Sequence, residues 1–526
     1  MNADGIYLTK IGPIAKTHGL EWSVTDYLLM TMAVSALVWY LQWLWGRRKL
    51  YTYAMNVHGP ISLPIIGCGY LFLGSPYETF KNVQYLLNKY PYIAKVWFGH
   101  RLFFGVQDPK HLDILLNSPK ALAKEMLYKH AERAVGHGLF TAPVKVWKKN
   151  RKLISPTFNQ RILDQFVEVF AEQGEILNQQ LVKQCDKEID LFHFMTKATL
   201  DIICETAMGV KVHAQTSDSL FGKWADRVME IVFLRIFVIW YHSDFLFSLS
   251  PLKKEFDEIL AKMHDFTRKV VVQKRVAFEK KMKESQFEAQ IEETTKRKAF
   301  LDYLIELTYT KDGSIFTDDE LRQEVDTFMI AGSDTTATSN CFTLMLLGMY
   351  PSIQQKVYEE VIDVLGHERL VTHTDLPKLK YTEAVLKETL RLFPVGPFIV
   401  RAVDEDLDLG DVVLPAGCSA VLGIINVQRN PQYWKDPLKF DPERFLPPRS
   451  DGIQPGSYIP FSWGPRNCIG PKYAMMAMKS IITAVIRNYT VSCGYKTIEE
   501  IELKTNLVVR PTYGFKVTFH KRKTDQ

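Results

Sequence analysis

The chain has 526 residues, of which 47% are hydrophobic and 24% are charged, and its formal net charge is +6. This length suits one large domain or two ordinary ones, and the composition is that of a folded chain rather than a disordered one. The mild positive charge suits a membrane surface or an acidic partner protein, and no basic, aromatic-interleaved patch indicates nucleic-acid binding. The seven cysteines are scattered, which favours a reducing compartment over a disulfide framework.

An apolar run near the N-terminus, Tyr27 to Trp45, is long enough to span a bilayer and contains only Gln42 as a strongly polar residue. Tryptophans and a tyrosine crowd its far end, and the cationic residues 47–49 follow at once. A cleaved signal peptide would carry its positive charge before a shorter apolar core, and a buried core helix is the other alternative. We expect residues 1–50 to contain one uncleaved anchor, with the rest of the chain on the cytoplasmic side.

Residues 51–70 read as a proline-rich hinge, because Pro60, Pro64 and two glycines favour a stiff, extended chain over a helix. Residues 71–526 then form the main domain. The Gly67-Cys68-Gly69 triplet begins like a dinucleotide-binding loop, but Phe72 stands where the third glycine belongs. The sequence therefore shows no nicotinamide or flavin motif.

Residues 93–98 and 102–106 are predicted to pair as a β-hairpin through Gly99, and most of the chain after Pro109 has a helical pattern. Trp147 and Arg151 lie four residues apart on one predicted helix face, so both side chains can reach one ligand. The lysines beside them make a solvated basic face an equally good interpretation.

A long helix is predicted from the capping box of Thr317 and Glu320 to Met349, because Pro351 ends it. Gly332 stands near its middle, where it costs about 1 kcal/mol relative to alanine. Close approach of the helix to a flat cofactor is the reason we expect for that glycine.

Gly332 belongs to a polar hexapeptide that starts at Ala331 and includes Asp334 and Thr335. A threonine hydroxyl can orient a water, and an aspartate can relay protons, so the two residues together could deliver protons to a buried site. The alternative is a helix kink with back-bonded hydroxyls.

Three other stretches are distinctive. Residues 228–250 are richly apolar, whereas residues 274–298 are dense in lysine and glutamate and are predicted to be exposed. Glu388 and Arg391 lie at i and i+3 of a helix, a pair that contributes little when it is exposed. Residues 414–417 are predicted to turn between two short strands.

The residues around Cys468 form the most specific motif of the chain. Phe461, Gly464, Arg466, Cys468 and Gly470 occupy five positions within ten residues, and a helix is predicted to begin at the next residue, a proline. If Cys468 binds an iron atom, helix-terminal N–H groups moderate the thiolate and Arg466 can pair with a porphyrin carboxylate. A lone cysteine is more often a small buried hydrophobe, but the fixed spacing makes that interpretation unlikely here.

This spacing resembles the haem-binding signature of the cytochrome P-450 monooxygenases, in which a cysteine thiolate is the axial ligand of the haem iron. Motifs occur in the family's order from Pro60 to Gly470, and their wording is most similar to the fourth family, the fatty-acid ω-hydroxylase branch, in an insect-like or other eukaryotic microsomal member. The resemblance implies a mainly α fold with small β-sheets (α+β) and one haem-thiolate catalytic domain over residues 71–526.

Roles for further residues come from the same resemblance. The family's Trp-x-x-x-Arg pair bonds the haem propionates, and here it is Trp147 and Arg151, with Arg401 reaching a second propionate. Arg444 joins the Glu388–Arg391 pair in a buried network that fixes the cysteine loop.

The resemblance also implies that residues 228–250 form a lid over the substrate channel, and an ordinary part of the core is an equally good interpretation of that segment. It further implies that Asp334 and Thr335 are the proton-delivering pair. Many branch members carry a glutamate that ester-links to haem where this chain has Ala331. We therefore expect non-covalent haem b, with Phe461 and Gly470 beside it, and O2 as co-substrate.

The resemblance implies an endoplasmic-reticulum enzyme that receives electrons from NADPH-cytochrome reductase, with a cytochrome b-type donor as a second candidate, and that oxidises an apolar small molecule beside membrane lipid. Two alternatives stay open at this point. One is a haem-thiolate isomerase or dehydratase of lipid peroxides, which commonly lacks the acid–alcohol pair, and the other is a non-catalytic haem or lipid carrier.

Overall fold

The structure is a computed structural model that describes residues 23–217, 219–285, 298–309 and 315–522. The chain divides into two compact units, residues 1–52 and residues 53–526. The first unit contains helix α1, Val24–Gly46, and a capping box formed by Ser23 and Asp26 lies at its N-terminus. None of the α1 residues is buried, and the helix is long and apolar enough to cross a membrane, as the sequence predicted.

The second unit consists mainly of helices. The helices that come after α1 are α2 Arg48–Met55, α3 Pro76–Lys89, α4 Pro109–Asn117, α5 Lys129–Val135, α6 Val144–Ile154, α7 Gln160–Asp164, α8 Val167–Leu181, α9 Phe192–Ile203, α10 Phe221–Phe237, α11 Asp244–Ser248, α12 Pro251–Ser285, α13 Phe300–Thr308, α14 Asp318–Met349, α15 Pro351–Leu365, α16 Lys380–Leu392, α17 Ile424–Gln428 and α18 Pro471–Asn488. Helix α2 begins in the first unit and ends in the second.

In the described part of the chain the strands are short and form four small sheets. They are β1 Ile93–Phe98, β2 Arg101–Val106, β3 Glu188–Asp190, β4 Phe398–Ala402, β5 Leu407–Asp408, β6 Val413–Leu414, β7 Ser419–Gly423, β8 Tyr489–Ser492, β9 Leu503–Asn506, β10 Val508–Pro511 and β11 Lys516–Lys521. The largest sheet has the order β1-β2-β7-β4, and the others are β3-β11-β8, β10-β9 and β5-β6. The α+β fold class is confirmed, as are the hairpin β1–β2 and the turn between β6 and β7.

Helix α14 lies at the centre of the second unit. Its predicted capping box is present, with Thr317 Oγ1 accepting from the Glu320 amide and the Glu320 carboxylate accepting from the Thr317 amide. Most side chains from Leu321 to Gly348 are buried, and α14 packs against α9, α12, α16 and α18. An amphipathic pattern is weak in this helix because it is enclosed by other helices on nearly every side.

The proline-rich segment before α3 differs from the prediction. Residues 59–67 are not helical, but they turn back instead of staying extended, because Leu63 and Gly67 exchange two backbone hydrogen bonds of 2.9 Å. Gly67 has φ +59°, and a Cβ there would stand 2.3 Å from the Trp97 carbonyl oxygen. The segment is therefore fastened to strand β1 by a turn that requires glycine.

The charged stretch at residues 274–298 was predicted to be exposed. Its first part is the last three turns of α12, whose side chains are mostly exposed where they are described. Residues 286–297 lie outside the described part of the chain.

Candidate active site

A cavity of about 540 Å³ lies between the middle of α14 and the loop before α18, with α6, α10 and β4 completing its walls. Ten of the predicted site residues line it. They are Trp147, Arg151, Ala331, Asp334, Thr335, Arg401, Phe461, Arg466, Cys468 and Gly470. The remaining three, Glu388, Arg391 and Arg444, lie outside the lining. Segments separated by more than 300 residues in sequence thus meet at one apolar cavity.

The loop that carries Cys468 is held by its own backbone. The Cys468 amide donates to the Phe461 carbonyl oxygen at 2.9 Å, and the Gly470 amide donates to Cys468 Sγ at 3.3 Å. Gly464 has φ +74°, and a Cβ there would stand 2.2 Å from the Leu116 carbonyl oxygen. The glycine is therefore required both by its conformation and by the close passage of α4.

The sulfur of Cys468 is exposed to the cavity. Burial raises the pKa of the Cys468 thiol, while the Gly470 amide and the Arg151 guanidinium oppose that rise. A soft sulfur ligand that faces a cavity and accepts an N–H bond is suited to bind an iron atom as a thiolate.

Three cations meet at one corner of the cavity. Arg466 donates to the Leu122 carbonyl oxygen at 2.7 Å, and Arg401 donates to the Arg466 carbonyl oxygen at 3.3 Å. Lys124 pairs with Arg401 through a backbone bridge, and its ammonium lies 4.4 Å from the centre of the Tyr128 ring. No described group accepts a hydrogen bond from that ammonium, and burial together with Arg401 and Arg466 holds the Lys124 pKa well below its usual range.

Sequence reasoning missed Lys124. Nothing in the residues around it distinguishes it from a surface lysine, and only the bridge to strand β4 brings it to the cavity. Among the described residues that line the cavity, Asp334 is the only carboxylate. The cationic corner therefore has no carboxylate partner among the described residues that line the cavity beside it.

Trp147 and Arg151 project from α6 toward the same region but do not share a contact. Trp147 is buried, and the Arg466 guanidinium lies 5.1 Å from its ring centre. Arg151 donates at 2.9 Å to both the carbonyl and the side-chain oxygen of Asn467. In this structure Arg151 therefore supports the cysteine loop, and its predicted contact with a propionate stays a prediction.

These residues fit a haem group. Apolar walls suit a flat macrocycle, the cationic corner suits its two carboxylates, and Cys468 Sγ supplies an axial ligand. The unpaired ammonium of Lys124 is the observation that argues most directly for an anionic occupant.

The opposite wall is formed by the predicted polar stretch of α14. Thr335 Oγ1 donates to the Ala331 carbonyl oxygen at 2.6 Å, and Ser339 Oγ donates to the Thr335 carbonyl oxygen at 2.9 Å. A Cβ on Gly332 would collide with Ile203 of α9, and Gly332 also lines the cavity. Packing against α9 is thus one reason for glycine at this position, and the expected close approach to a cofactor stays a prediction.

Asp334 is buried at the edge of the cavity and forms an ion pair that the sequence did not indicate. Its Oδ1 accepts from Arg510 Nη2 at 2.5 Å, whereas Oδ2 has no hydrogen-bond partner in the described structure. Burial raises the Asp334 pKa to about 6, and Arg510 opposes that rise. Asp334 is thus poised to hold or release a proton near neutral pH.

The predicted Glu–Arg–Arg network is present. Arg391 donates to both carboxylate oxygens of Glu388 at 2.7 and 2.8 Å, and Arg444 Nε lies 3.4 Å from Glu388 Oε1. Both side chains of the Glu388–Arg391 pair are 0% exposed. The interpretation as a weak surface pair is therefore wrong, because the protein encloses these charges completely.

Gln428 connects this network to the cysteine loop, and sequence reasoning missed it. Its carbonyl oxygen accepts from Arg391 at 2.8 Å, and its side-chain oxygen accepts from the Ile459 amide at 2.9 Å. Ile459 lies two residues before Phe461, the first residue of the motif that carries Cys468. The hydrogen bonds of this buried glutamine thus link the charged network to the start of the cysteine loop.

The apolar residues 228–250 divide into two parts. Side chains from the C-terminal half of α10 line the cavity, and they are Val228, Met229, Val232, Phe233, Ile236 and Phe237. The residues after α10 instead expose large apolar side chains, with Phe245 and Leu249 each 70% exposed. Ile399 and Val400 also line the cavity, and Trp463 is 51% exposed beside the cysteine loop.

The fold and the cavity together define a haem-thiolate protein. The model of the family described as cytochrome P-450 matches residues 57–519. The chain is 35% identical over 470 residues to "Cytochrome P-450 4V2" of Mus musculus, covering 88% of this chain and 89% of that protein. It is 33% identical over 535 residues to "Cytochrome P-450 4c3" of Drosophila melanogaster, covering 99% of this chain and 98% of that protein.

A solved structure, "Crystal structure of cytochrome P-450DA heme domain", has the same fold, with a TM-score of 0.74, 21% identity, and coverage of 89% of this chain and 97% of that chain. The chain belongs to the cytochrome P-450 family, and its curated relatives carry fourth-family names, as the sequence motifs predicted. It is accordingly a monooxygenase-class oxidoreductase that uses haem iron and O2.

Proposed function

We propose that this protein is a membrane-bound monooxygenase that hydroxylates or epoxidises an apolar substrate, such as a fatty acid, a hormone-like lipid or a foreign compound. The observation that carries the proposal is the cavity, which has the sulfur of Cys468 on one wall and Asp334 with Thr335 on the other. The α10 side chains and Ile399 of β4 give it an apolar lining, so a substrate there is recognised mainly by shape and burial.

Bound haem supplies the one-electron and oxygen chemistry of the reaction. Cys468 would hold that group together with Lys124, Arg401 and Arg466, whose cations would pair with the haem carboxylates. Thr335 holds a water at the wall of α14, and Asp334 exchanges protons with it through its unpaired Oδ2. Apolar side chains exclude other water from the cavity.

The haem is proposed to be haem b held without a covalent bond. Ala331 lines the cavity where many members of the branch carry a glutamate, and its methyl group cannot form an ester. Acid–acetone extraction is expected to remove the haem completely from the protein. Haem that stays on the polypeptide after extraction would refute this part of the proposal.

The electron donor is proposed to be NADPH-cytochrome reductase, with a cytochrome b-type protein as a second donor. Helix α6 contacts the cysteine loop through Arg151, and Lys148 and Lys152 of the same helix are exposed. An acidic partner that binds this cationic face would lie close to Cys468.

The protein is proposed to lie in the endoplasmic-reticulum membrane with its catalytic domain in the cytoplasm. Helix α1 is the anchor, and the cations at residues 47–49 favour a cytoplasmic position for the rest of the chain. Exposed Phe245 and Leu249 provide a second apolar contact for the membrane surface.

The test uses the full-length protein with purified reductase in phospholipid vesicles and lauric acid as the probe substrate. We expect NADPH-dependent oxygen consumption and an oxygenated product, with Cys468→Ser inactive in the same vesicles. Conversion of a lipid hydroperoxide without NADPH, and no reductase-dependent oxygen consumption, would instead identify a peroxide isomerase. Haem binding without either activity would identify a carrier.

A further inference from the structure

Arg510 forms a bridge between two carboxylates that belong to different helices. It lies on β10 and donates to Asp334 of α14 at 2.5 Å and to Asp226 of α10. Its guanidinium carbon lies 4.0 Å from the centre of the Phe192 ring, so the cation is held from a third side. This cluster was not indicated by the sequence, and the proposed function does not account for it.

The two carboxylates differ in burial. The side chain of Asp334 is 7% exposed and that of Asp226 is 41% exposed, while Arg510 is 10% exposed. One buried cation, Arg510, therefore pairs with the buried carboxylate of Asp334 at the cavity and with the solvent-accessible carboxylate of Asp226. The charge of Asp226 is consequently screened more strongly than that of Asp334.

Few other ionisable groups face this bridge. Burial raises the pKa of the Cys341 thiol of α14 far above its usual range. The charges of Asp190 of β3, Arg510 and Asp334 also act on that thiol, so Asp190 lies near the bridge. Asp190 is itself satisfied by the amides of Phe192 and Phe515. Arg510 is thus the only cation among the described groups that act on Asp334.

We propose that Arg510 is a positioning residue that keeps Asp334 ionised and oriented for proton delivery, and that Asp226 competes for the same guanidinium. The proposal rests on the proposed function of Asp334. Asp226 belongs to α10, whose other side chains line the cavity. The strength of the Arg510–Asp334 ion pair therefore depends on the position of α10.

The proposal predicts that two substitutions shift the Asp334 pKa in opposite directions. Burial raises the Asp334 pKa to about 6, Arg510 lowers it, and Asp226 raises it. Removal of the cation by Arg510→Gln should therefore raise the Asp334 pKa, whereas Asp226→Asn should lower it. If the bridge only held α10 and α14 together and other groups kept Asp334 ionised, neither substitution would move the Asp334 titration in this way.

The test measures the protonation of Asp334 directly, by infrared difference spectra of the full-length protein in phospholipid nanodiscs as the pH is raised. The carboxyl band that Asp334→Asn removes is assigned to Asp334. We expect its titration midpoint to move up in Arg510→Gln, down in Asp226→Asn, and to stay near that of wild type in Arg510→Lys. Shifts in the same direction in the first two variants, or no shift in either, would overturn the proposal.

A second measurement covers the case in which Arg510→Gln does not fold. The ratio of hydrogen peroxide released to NADPH consumed is measured with reductase and lauric acid for wild type, Arg510→Lys and Asp226→Asn. We expect the pH at which this ratio changes to move down in Asp226→Asn and to stay near that of wild type in Arg510→Lys, whereas an unmoved Asp226→Asn profile would contradict the proposal. The carbon-monoxide difference spectrum of each variant shows whether the haem-thiolate site is intact, so failure of the proposed function is recognised separately.

Discussion

Ile203 of α9 occupies the space that a side chain at position 332 would need. A Cβ on Gly332 would stand 2.7 Å from Cδ1 and 3.0 Å from Cγ1 of Ile203, closer than carbon atoms approach without displacement. A side chain at position 332 would therefore have to displace the Ile203 side chain, directly behind the cavity wall that contains Asp334.

The first prediction concerns this contact. Gly332→Ala should destabilise the protein by about 1–3 kcal/mol, because overpacking outweighs the gain in helix propensity. The midpoint of denaturant unfolding measures the effect. Ile203→Val in the same chain should recover part of the loss, and Gly452→Ala, where nothing lies within 4 Å of the added Cβ, is the matched control. A Gly332→Ala protein as stable as wild type would show that α9 does not approach this closely.

The second prediction concerns the buried network. Glu388→Gln should cost roughly 3–5 kcal/mol, because it leaves Arg391 charged and unpaired in a fully enclosed site. We expect a lower unfolding midpoint and a smaller yield of haem-bound protein. Lys356→Ala, which breaks the exposed pair with Glu443, is the control and should change stability by less than about 1 kcal/mol. Equal effects of the two substitutions would contradict the buried arrangement.

The third prediction is a dependence of stability on pH through Glu324. Burial raises its pKa from 4.5 to about 7, although the Leu139 amide and Asn150 donate to its carboxylate. The folded state then holds a proton that the unfolded state releases, so this residue's contribution to stability falls as pH rises from about 4.5 to 7.

Glu324→Gln keeps a neutral side chain of the same shape and should remove this part of the pH dependence. The loss in wild type is about 3 kcal/mol across the interval. Unfolding midpoints measured from pH 5 to pH 8 provide the test. Asp326 also has a pKa raised to about 7 by burial, so the variant should retain a smaller slope of the same sign. An unchanged slope in Glu324→Gln would show that this carboxyl is ionised throughout.

The fourth prediction concerns Lys124. Lys124→Met should speed haem loss by ~10-fold or more, because the proposed charge-assisted hydrogen bond to a haem carboxylate would be lost. The same variant should make the haem-free protein more stable, since without haem the Lys124 ammonium lies near Arg401 and Arg466 and has no carboxylate to offset their charges. Haem transfer to excess apomyoglobin measures the first effect, and Lys148→Met on the exposed face of α6 is the control. An unchanged rate of haem loss would place Lys124 outside the haem site.

Local signals in the sequence were sufficient for several elements. Pro471 set the start of α18, and Thr317 with Pro351 set the ends of α14, because capping groups and proline act on their own neighbourhood. The positive φ of Gly464 is likewise a local property, since it concerns the backbone of one residue.

The residues that were missed act across long separations in the chain. Lys124, Gln428 and Arg510 are ordinary polar residues in their own segments, and each acquires its role only from a partner brought near by the fold. The turn at Leu63 to Gly67 was missed because its hydrogen bonds and its contact with β1 outweigh the extended preference that proline gives its neighbours.

The most direct test of Cys468 as the ligand of the haem iron is the difference spectrum of the reduced, carbon-monoxide-bound protein. Wild type is compared with Cys468→His. Cys493→Ser, a substitution outside the cavity, is the control. We predict a strongly red-shifted thiolate-type band in wild type and in the control, and its absence in Cys468→His. A histidine-type band in wild type, or an unchanged thiolate-type band in Cys468→His, would show that Cys468 is not the axial ligand.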